Sequence, residues 1–296
     1  MSHATRLSAI VPCVDGAHLA QKLDDLAALE LWLAEIVVCF NGPEEELDPV
    51  RAIAESPRAT RCVVSISPPL NKARALKDGL AHVTTGRILY TDVDCLLARA
   101  PGDLVDDLRS EDVRSFLVLR APTRSEREIR TKLGRRRALG ALYRHAGLLY
   151  LSARGGGYIA GDISETIDER ALSDDLLFPA EYAAAHGRGI IPSEALVFYE
   201  AREEGRRRYT DKLPRLIYGS FQAVRLARSR RVRASIVVQK LAKYVLVALT
   251  PPAVVATLAL MGLPLWPALL LLPASRLFIR TWEGLARGIR GAQPRW

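Results

Sequence analysis

Two aspartates that follow an apolar run are the residues of this chain whose spacing most directly suggests chemistry. Asp92 and Asp94 lie in the segment GRILYTDVDCLL, residues 86–97, directly after the β-prone run Ile88–Tyr90. In an extended segment the side chains repeat with a period of two, so both carboxylates are predicted to point the same way. Such a pair can hold a hard divalent cation, and the cation can hold a diphosphate. The simpler interpretation is a strand followed by an acidic turn, because an isolated D-x-D tripeptide is common.

A second acidic pair lies further along the chain. Asp174 and Asp175 belong to the segment SDDLLFPAEYAAAHG, which predicts a helix beginning near Ser173. The glycine run 155–157 precedes them, and glycines allow a positive φ or a close approach of the backbone to a ligand. The alternative is that the two acids only cap the helix, where they interact favourably with its dipole.

The elements predicted before Asp92 alternate between strands and helices. The apolar, β-prone runs predict strands over 7–13, 35–40, 61–67 and 88–90, and the helical periodicity predicts helices over 17–34, 44–56 and 71–83. This alternation indicates right-handed βαβ units and a mainly parallel sheet. Ligands of open α/β sheets bind beyond the carboxyl ends of the strands, where Asp92 is placed. Beyond Asp94, the pattern predicts a helix over 100–113 and a strand over 115–120.

The positive charge of the chain is concentrated in one belt. The formal net charge of the 296 residues is +9, and residues 201–240 contain twelve Lys and Arg against three Asp and Glu. Such a belt indicates an anionic surface as partner. Helices that bind nucleic acid can carry this pattern, but here the cations directly precede an apolar segment. We therefore predict anionic membrane lipid as the partner, and no nucleic acid.

That apolar segment extends from Leu241 to Ile279 and contains no acid. A single crossing needs about 20 residues, so the segment is long enough for two crossings, with a break near Met261–Pro264. Lys and Arg flank both ends, which predicts that both ends are cytoplasmic. The alternative is a re-entrant or interfacial hairpin that never crosses. A second cationic segment, residues 132–153, is interpreted either as an interfacial helix on lipid or as a solvated helix packed on the sheet.

The order of these segments resembles the family-2 glycosyltransferases with the GT-A fold, over roughly residues 7–225. Members of that family begin with strands like SAIVPC and EIVVCFNG. A helix like NKARALKDGLAHVTTG then precedes a strand that ends in D-x-D, and an acidic pair opens a later helix. Many members end with a basic motif related to RKxRxxxG, here Lys212-Leu-Pro-Arg215 followed by Gly219. The resemblance implies an α/β fold: a Rossmann-like, mainly parallel GT-A sheet flanked by helices, with a C-terminal transmembrane helical hairpin.

The resemblance also implies an activity, namely inverting transfer of a sugar from a nucleotide-sugar donor to a lipid-linked or saccharide acceptor. In that reading Asp92 and Asp94 hold Mn²⁺ or Mg²⁺, and Asp175 is the general base, with Asp174 as the alternative. The donor nucleotide is assigned to the following residues: Pro12, Asn41, Lys72, Arg74, Asp92, Lys212 and Arg215. Family members usually carry an aspartate where Asn41 stands, so the identity of the base stays open.

The implied organisation has four parts. Residues 1–225 form the catalytic domain, 226–240 a basic juxtamembrane segment, 241–280 two transmembrane helices, and 281–296 a basic cytoplasmic tail. The protein is thereby placed at the cytoplasmic membrane, with its catalytic domain in the cytoplasm. Two rival interpretations are a membrane-anchored binding module that lost the chemistry and a nucleotidyltransferase. The region VPCVDGAHL lacks the Gly-rich, basic signature expected of the latter.

Overall fold

The computed structural model describes residues 6–69, 71–99, 102–119, 125–151, 157–171, 174–201, 206–261, 264, 271 and 274–291. The chain packs as two compact units. The first comprises Met1–Arg170 and Asp174–Glu203, and the second comprises Ala171–Ser173 and Glu204–Trp296. The boundary between the units precedes residue 225, and the predicted four-part organisation stays a prediction.

The first unit is built on an eight-stranded sheet with the order β3-β2-β1-β4-β7-β6-β8-β5. Its strands are β1 (Leu7–Cys13), β2 (Leu33–Phe40), β3 (Arg61–Ile66), β4 (Ile88–Thr91), β5 (Cys95–Leu97), β6 (Val113–Leu119), β7 (Gly157–Ala160) and β8 (Ile190–Glu200). Strands β3, β2, β1 and β4 are mutually parallel, as predicted. The other half is mixed, because β7 runs antiparallel to both β4 and β6, and β5 runs antiparallel to β8.

Six helices of the described residues flank this sheet. They are α1 (Leu19–Ala27), α2 (Leu47–Ala54), α3 (Lys72–Leu80), α4 (Val105–Arg109), α5 (Glu126–His145) and α6 (Asp174–Ala185). The predicted helix over 17–34 is wrong in extent, since Leu33 begins β2. Leu29 lies beyond the end of α1 but is also buried. The apolar pattern that predicted the helix therefore extends past the last helical residue. The helix predicted over 100–113 is also too long, because within the described part of that range, 102–113, the helix covers only Val105–Arg109.

Two local features hold α3 at the edge where the parallel strands end. The side chain of Asn71 caps the helix by accepting a hydrogen bond from the backbone N–H of Arg74, at 2.9 Å. Gly79 allows the helix to approach β2 closely, because a Cβ there would lie 2.2 Å from the Cys39 Sγ. The first turn of α3 is thereby set beside the ends of the strands.

Helix α5 contains most of the cationic segment for which two interpretations were open. Ile129 and Leu133 are buried in a cluster with Leu117 and Leu119 of β6 and Val197 of β8. The arrangement favours the second interpretation, a cationic helix packed on the sheet.

The second unit is helical. It comprises α7 (Arg206–Leu226), α8 (Arg230–Ile236), a π-helical segment (Val237–Leu241), α9 (Ala242–Leu260) and α10 (Ser275–Arg290). Helix α10 packs closely on α7 through small residues. A Cβ on Gly288 would lie 2.2 Å from the Phe221 ring, and one on Gly284 would lie 2.9 Å from Ile217.

The predicted apolar hairpin is seen only in its first arm. Among the described residues, one helical span, Arg230–Leu260, is long and apolar enough to cross a membrane. Of an apolar stretch of 18 residues within it, 17% is buried. Most of the predicted second arm lies outside the described residues. Its end falls in α10, which is amphipathic and carries Arg276 and Arg280. The described part of the chain therefore does not show a clear hairpin of two apolar helices.

Candidate functional site

Asp92 and Asp94 lie in the tight turn that joins β4 to β5. The carbonyl oxygen of Asp92 accepts a hydrogen bond from the Cys95 N–H at 3.1 Å, and that of Asp94 accepts one from the Ala201 N–H at 2.8 Å. Carboxylate oxygens of the two aspartates and the Cys95 Sγ lie within 4.8 Å of one another. The expected closeness of the carboxylates thus comes from a turn, and not from the alternation of an extended strand.

The donor set of this turn fits a hard cation. Both carboxylates are partly exposed, and carboxylate oxygens are the ligands that Mg²⁺ and Mn²⁺ prefer. Cys95 is buried, and burial raises the pKa of its thiol well above the ordinary value. A thiol is also a softer donor than Mg²⁺ and Mn²⁺ prefer, so the aspartates are the groups suited to bind such an ion.

Lys72 connects the two acidic pairs that the sequence presents separately. Its Nζ lies 2.7 Å from the Asp92 Oδ1 and 3.8 Å from the Asp175 Oδ1. Lys72 stands in the first turn of α3 and Asp175 in the first turn of α6, so two helix starts meet at the end of β4. These groups line an open cleft formed by Pro12, Lys72, Leu76, Tyr90, Thr91, Asp92, Gly157, Tyr158 and Asp175.

Several of the predicted site residues, Asp94 among them, are not found among the described residues that line this cleft. The Nε of Arg74 lies 2.9 Å from the Asp78 Oδ1, and its NH1 lies 3.4 Å from the Glu169 Oε1. Asp174 is the first residue of α6. Lys212 and Arg215 are exposed on α7, in the second unit. The roles predicted for these four residues stay predictions.

Asn41 has a structural setting that the sequence did not reveal. It is only 2% exposed. With its amide oriented to satisfy both neighbours, it donates to the Cys13 carbonyl at 3.1 Å and accepts from the Lys72 N–H at 3.2 Å. The side chain thereby ties the end of β1 to the first turn of α3. Its predicted contact with the base of a nucleotide stays a prediction.

Sequence reasoning missed an aromatic pair beside the acids. The Tyr90 and Tyr158 rings stack with their centroids 4.8 Å apart, and the Tyr90 hydroxyl donates to the Gly161 carbonyl at 2.9 Å. Tyr158 lines the cleft because β7 pairs with β4, which places it opposite Tyr90. The glycine run before Tyr158 was the only signal in the sequence, and it did not indicate the strand pairing.

Sequence reasoning also missed a buried lysine beneath the acidic turn. Lys22 of α1 is 0% exposed, and its Nζ donates to the Thr91 Oγ1 at 2.8 Å. Burial lowers the pKa of Lys22 to about 8, even though nearby groups, among them Asp25 and Asp92, raise it. Its apolar neighbours on α1 gave the impression of an ordinary amphipathic helix.

Comparison with known proteins identifies the fold by structural similarity. No protein-family model matches the chain, and no curated protein sequence matches it. Among solved structures, the mannosyltransferase PcManGT from Pyrobaculum calidifontis, in complex with GDP-Man and Mn²⁺, matches with a TM-score of 0.64 at 16% identity. The match covers 97% of this chain and 88% of the mannosyltransferase chain. The chain therefore has the GT-A fold, as predicted.

Two further solved structures show a weaker likeness. Glucosyl-3-phosphoglycerate synthase from Mycobacterium tuberculosis matches with a TM-score of 0.45 at 16% identity, over 74% of this chain and 78% of the synthase. TarS from S. aureus matches with a TM-score of 0.43 at 13% identity, over 78% of this chain and 50% of TarS.

Proposed function

We propose that this protein is a metal-dependent glycosyltransferase that moves a sugar from a nucleoside-diphosphate sugar to an acceptor hydroxyl. The observation that carries the proposal is the cleft in which Lys72 joins Asp92 of the acidic turn to Asp175 of α6. A cation site, a phosphate-binding ammonium and a base at one strand end are the groups that such a transfer needs. The fold is shared with a mannosyltransferase whose structure contains GDP-Man and Mn²⁺.

Asp92 and Asp94 are the proposed holders of Mn²⁺ or Mg²⁺, since their carboxylate oxygens lie close together and Asp92 lines the cleft. When bound, the cation supplies Lewis-acid stabilisation of the negative charge that develops on the leaving diphosphate. Lys72 stands 2.7 Å from Asp92, within reach of the same phosphates. Its ammonium is therefore proposed to bind and orient the diphosphate through charge-assisted hydrogen bonds.

Asp175 is the proposed general base. An acceptor hydroxyl has a high pKa, so it needs a carboxylate nearby to accept its proton as the new bond forms. Asp175 lies in the cleft with Lys72 between it and Asp92, which suits a base facing the donor. We propose that the acceptor hydroxyl attacks the anomeric carbon directly, in a single displacement with inversion. Such a reaction needs a base but no carboxylate nucleophile.

The remaining predicted residues complete the proposal. Pro12 lines the cleft, Asn41 accepts a hydrogen bond from the first turn of α3, and Arg74 belongs to that turn, so we assign these three to the nucleotide side of the donor. Lys212 and Arg215 are proposed to bind phosphates, either of the donor or of a lipid-linked acceptor.

A panel of nucleotide sugars tests the proposed function. We expect purified protein to release nucleoside diphosphate from at least one donor in the presence of Mn²⁺ and a saccharide or lipid-linked acceptor. EDTA should stop the release, and added Mn²⁺ should restore it. Failure with every donor and acceptor, by protein that is folded by circular dichroism, would favour the non-catalytic binding module.

We further propose that the second unit attaches the protein to the cytoplasmic membrane, with the catalytic unit in the cytoplasm, where nucleotide sugars are made. Support comes from exposed apolar residues on α9, among them Leu246, 68% exposed, and Leu260 at its end, 89% exposed. Arg276 at the start of α10 lies 2.5 Å from Asp211 near the start of α7. That ion pair brings the end of the apolar segment back beside the helix that precedes the segment, as a two-crossing arrangement requires.

Thiol labelling tests this topology. The residues around Met261–Pro264 carry no charge, whereas Lys and Arg flank the apolar segment on both sides, so the connection is expected on the outer face. In a variant without native cysteines, Leu263→Cys should react with an impermeant thiol reagent added to intact cells. Glu30→Cys, at an exposed site in the first unit, is the control and should react only after the membrane is opened. If Leu263→Cys also needs the membrane to be opened, the hairpin does not cross.

A further inference from the structure

Lys22 is among the largest side chains that are fully buried in the described residues. A lysine is almost never buried without partners. Its ammonium donates to the Thr91 Oγ1 at 2.8 Å and to the Cys95 carbonyl oxygen, and it lies 4.7 Å from the centroid of the Phe198 ring. These partners replace the water that the ammonium loses on burial.

The two hydrogen-bond acceptors of Lys22 bracket the acidic turn. Thr91 directly precedes Asp92, and Cys95 directly follows Asp94. One turn further along α1, the Asp25 Oδ2 accepts a hydrogen bond from the Leu97 N–H at 2.8 Å. Helix α1 therefore holds the segment from Thr91 to Leu97 from its buried side by two charged side chains.

Stability alone does not account for a lysine at this position. Taking an ammonium out of water costs several kcal/mol, and replacing buried charges by apolar side chains of similar volume is often neutral or stabilising. A methionine would fill the same space at lower cost. The hydrogen bonds of Lys22 go to a hydroxyl and a backbone carbonyl at the two ends of the turn, while Asp92 and Asp94 stay partly exposed.

We propose that Lys22 is a positioning residue for the cation site, which fixes the turn so that Asp92 and Asp94 are held in place before a divalent ion binds. The proposal rests on the proposed function, because it takes the two aspartates as the cation ligands. A charge effect has the opposite sign: a nearby ammonium repels a divalent cation, so its removal without any change of geometry would tighten binding. The direction of the change in affinity therefore separates positioning from simple charge.

The test is a titration of the purified protein with Mn²⁺ alone. Binding is measured by electron paramagnetic resonance. Lys22→Met removes the ammonium and keeps the length of the side chain. We expect its dissociation constant for Mn²⁺ to rise about 10- to 100-fold, the range found when a group that orients metal ligands is removed. The thermal midpoint of Lys22→Met should stay the same or rise, since a buried charge has been removed.

Two control variants make the result decisive. Leu26→Ala opens a cavity on the same helix, at a residue that is 0% exposed, and should lower the thermal midpoint without weakening Mn²⁺ binding. Lys77→Met changes an exposed lysine and should alter neither quantity. Unchanged or tighter Mn²⁺ binding by Lys22→Met would overturn the proposal, and so would an equal loss in Leu26→Ala. If the unaltered protein does not bind Mn²⁺, the metal site of the proposed function fails as well.

Discussion

Replacing Asp94 by alanine is expected to abolish sugar transfer while the first unit stays folded. Asp94 is one of the two carboxylates at the proposed cation site, and its loss removes one of the two anionic ligands. Removing one group that stabilises transition-state charge commonly costs 10²–10³ in turnover, so we expect a loss of about 10³-fold or more. The fold should survive, because Asp94 holds the Ala201 N–H through its backbone carbonyl, which alanine keeps.

The measurement is release of nucleoside diphosphate at saturating donor and Mn²⁺, together with the thermal midpoint of each variant. Asp106→Asn, at an exposed acid on α4, is the matched control and should retain full activity. Full turnover by Asp94→Ala, or by the unaltered protein in EDTA, would remove the acidic turn from the mechanism.

Replacing Asp175 by asparagine is expected to lower turnover by about 10²–10⁴-fold, which is what a positioned general base contributes. Asparagine has nearly the same shape but does not accept the acceptor's proton, so the donor should still bind. The Asp175 Oδ1 is 3.8 Å from the Lys72 Nζ, whereas Asp92 is 2.7 Å away, so the stronger partner of Lys72 is retained in this variant.

Turnover of Asp175→Asn should be measured at saturating acceptor, and donor affinity by titration of the nucleotide sugar with Mn²⁺. Asp174→Asn is the matched control, because it changes the neighbouring acid at the start of α6. We expect the Asp174 variant to be mildly affected. If instead Asp174→Asn is crippled and Asp175→Asn is mild, the general base is Asp174. Loss of donor binding in Asp175→Asn would assign the carboxylate to the donor site.

The sequence by itself determined the elements that depend on local pattern. The strand Leu7–Cys13 has the predicted bounds, because an uninterrupted apolar run of that length suits a strand covered on both faces. The predicted helix start at residue 71 lies one residue before the observed start of α3 at Lys72, where Asn71 caps the helix. The local pattern also placed Asp92 and Asp94 directly after β4, and Asp174 and Asp175 at the start of α6.

Only the tertiary structure decided which distant groups share the cleft. Tyr158 enters it through the antiparallel pairing of β7 with β4. Lys22 contacts Thr91 at the acidic turn, although the two residues are 69 positions apart in the chain. The contact between Lys72 and Asp92 likewise joins two elements, α3 and the end of β4. Propensity, capping and periodicity act over a few neighbouring residues, whereas strand pairing and side-chain burial depend on segments far apart in the chain. The chemistry of each residue was therefore readable from the sequence, and its partners were decided by the packing of the sheet and helices.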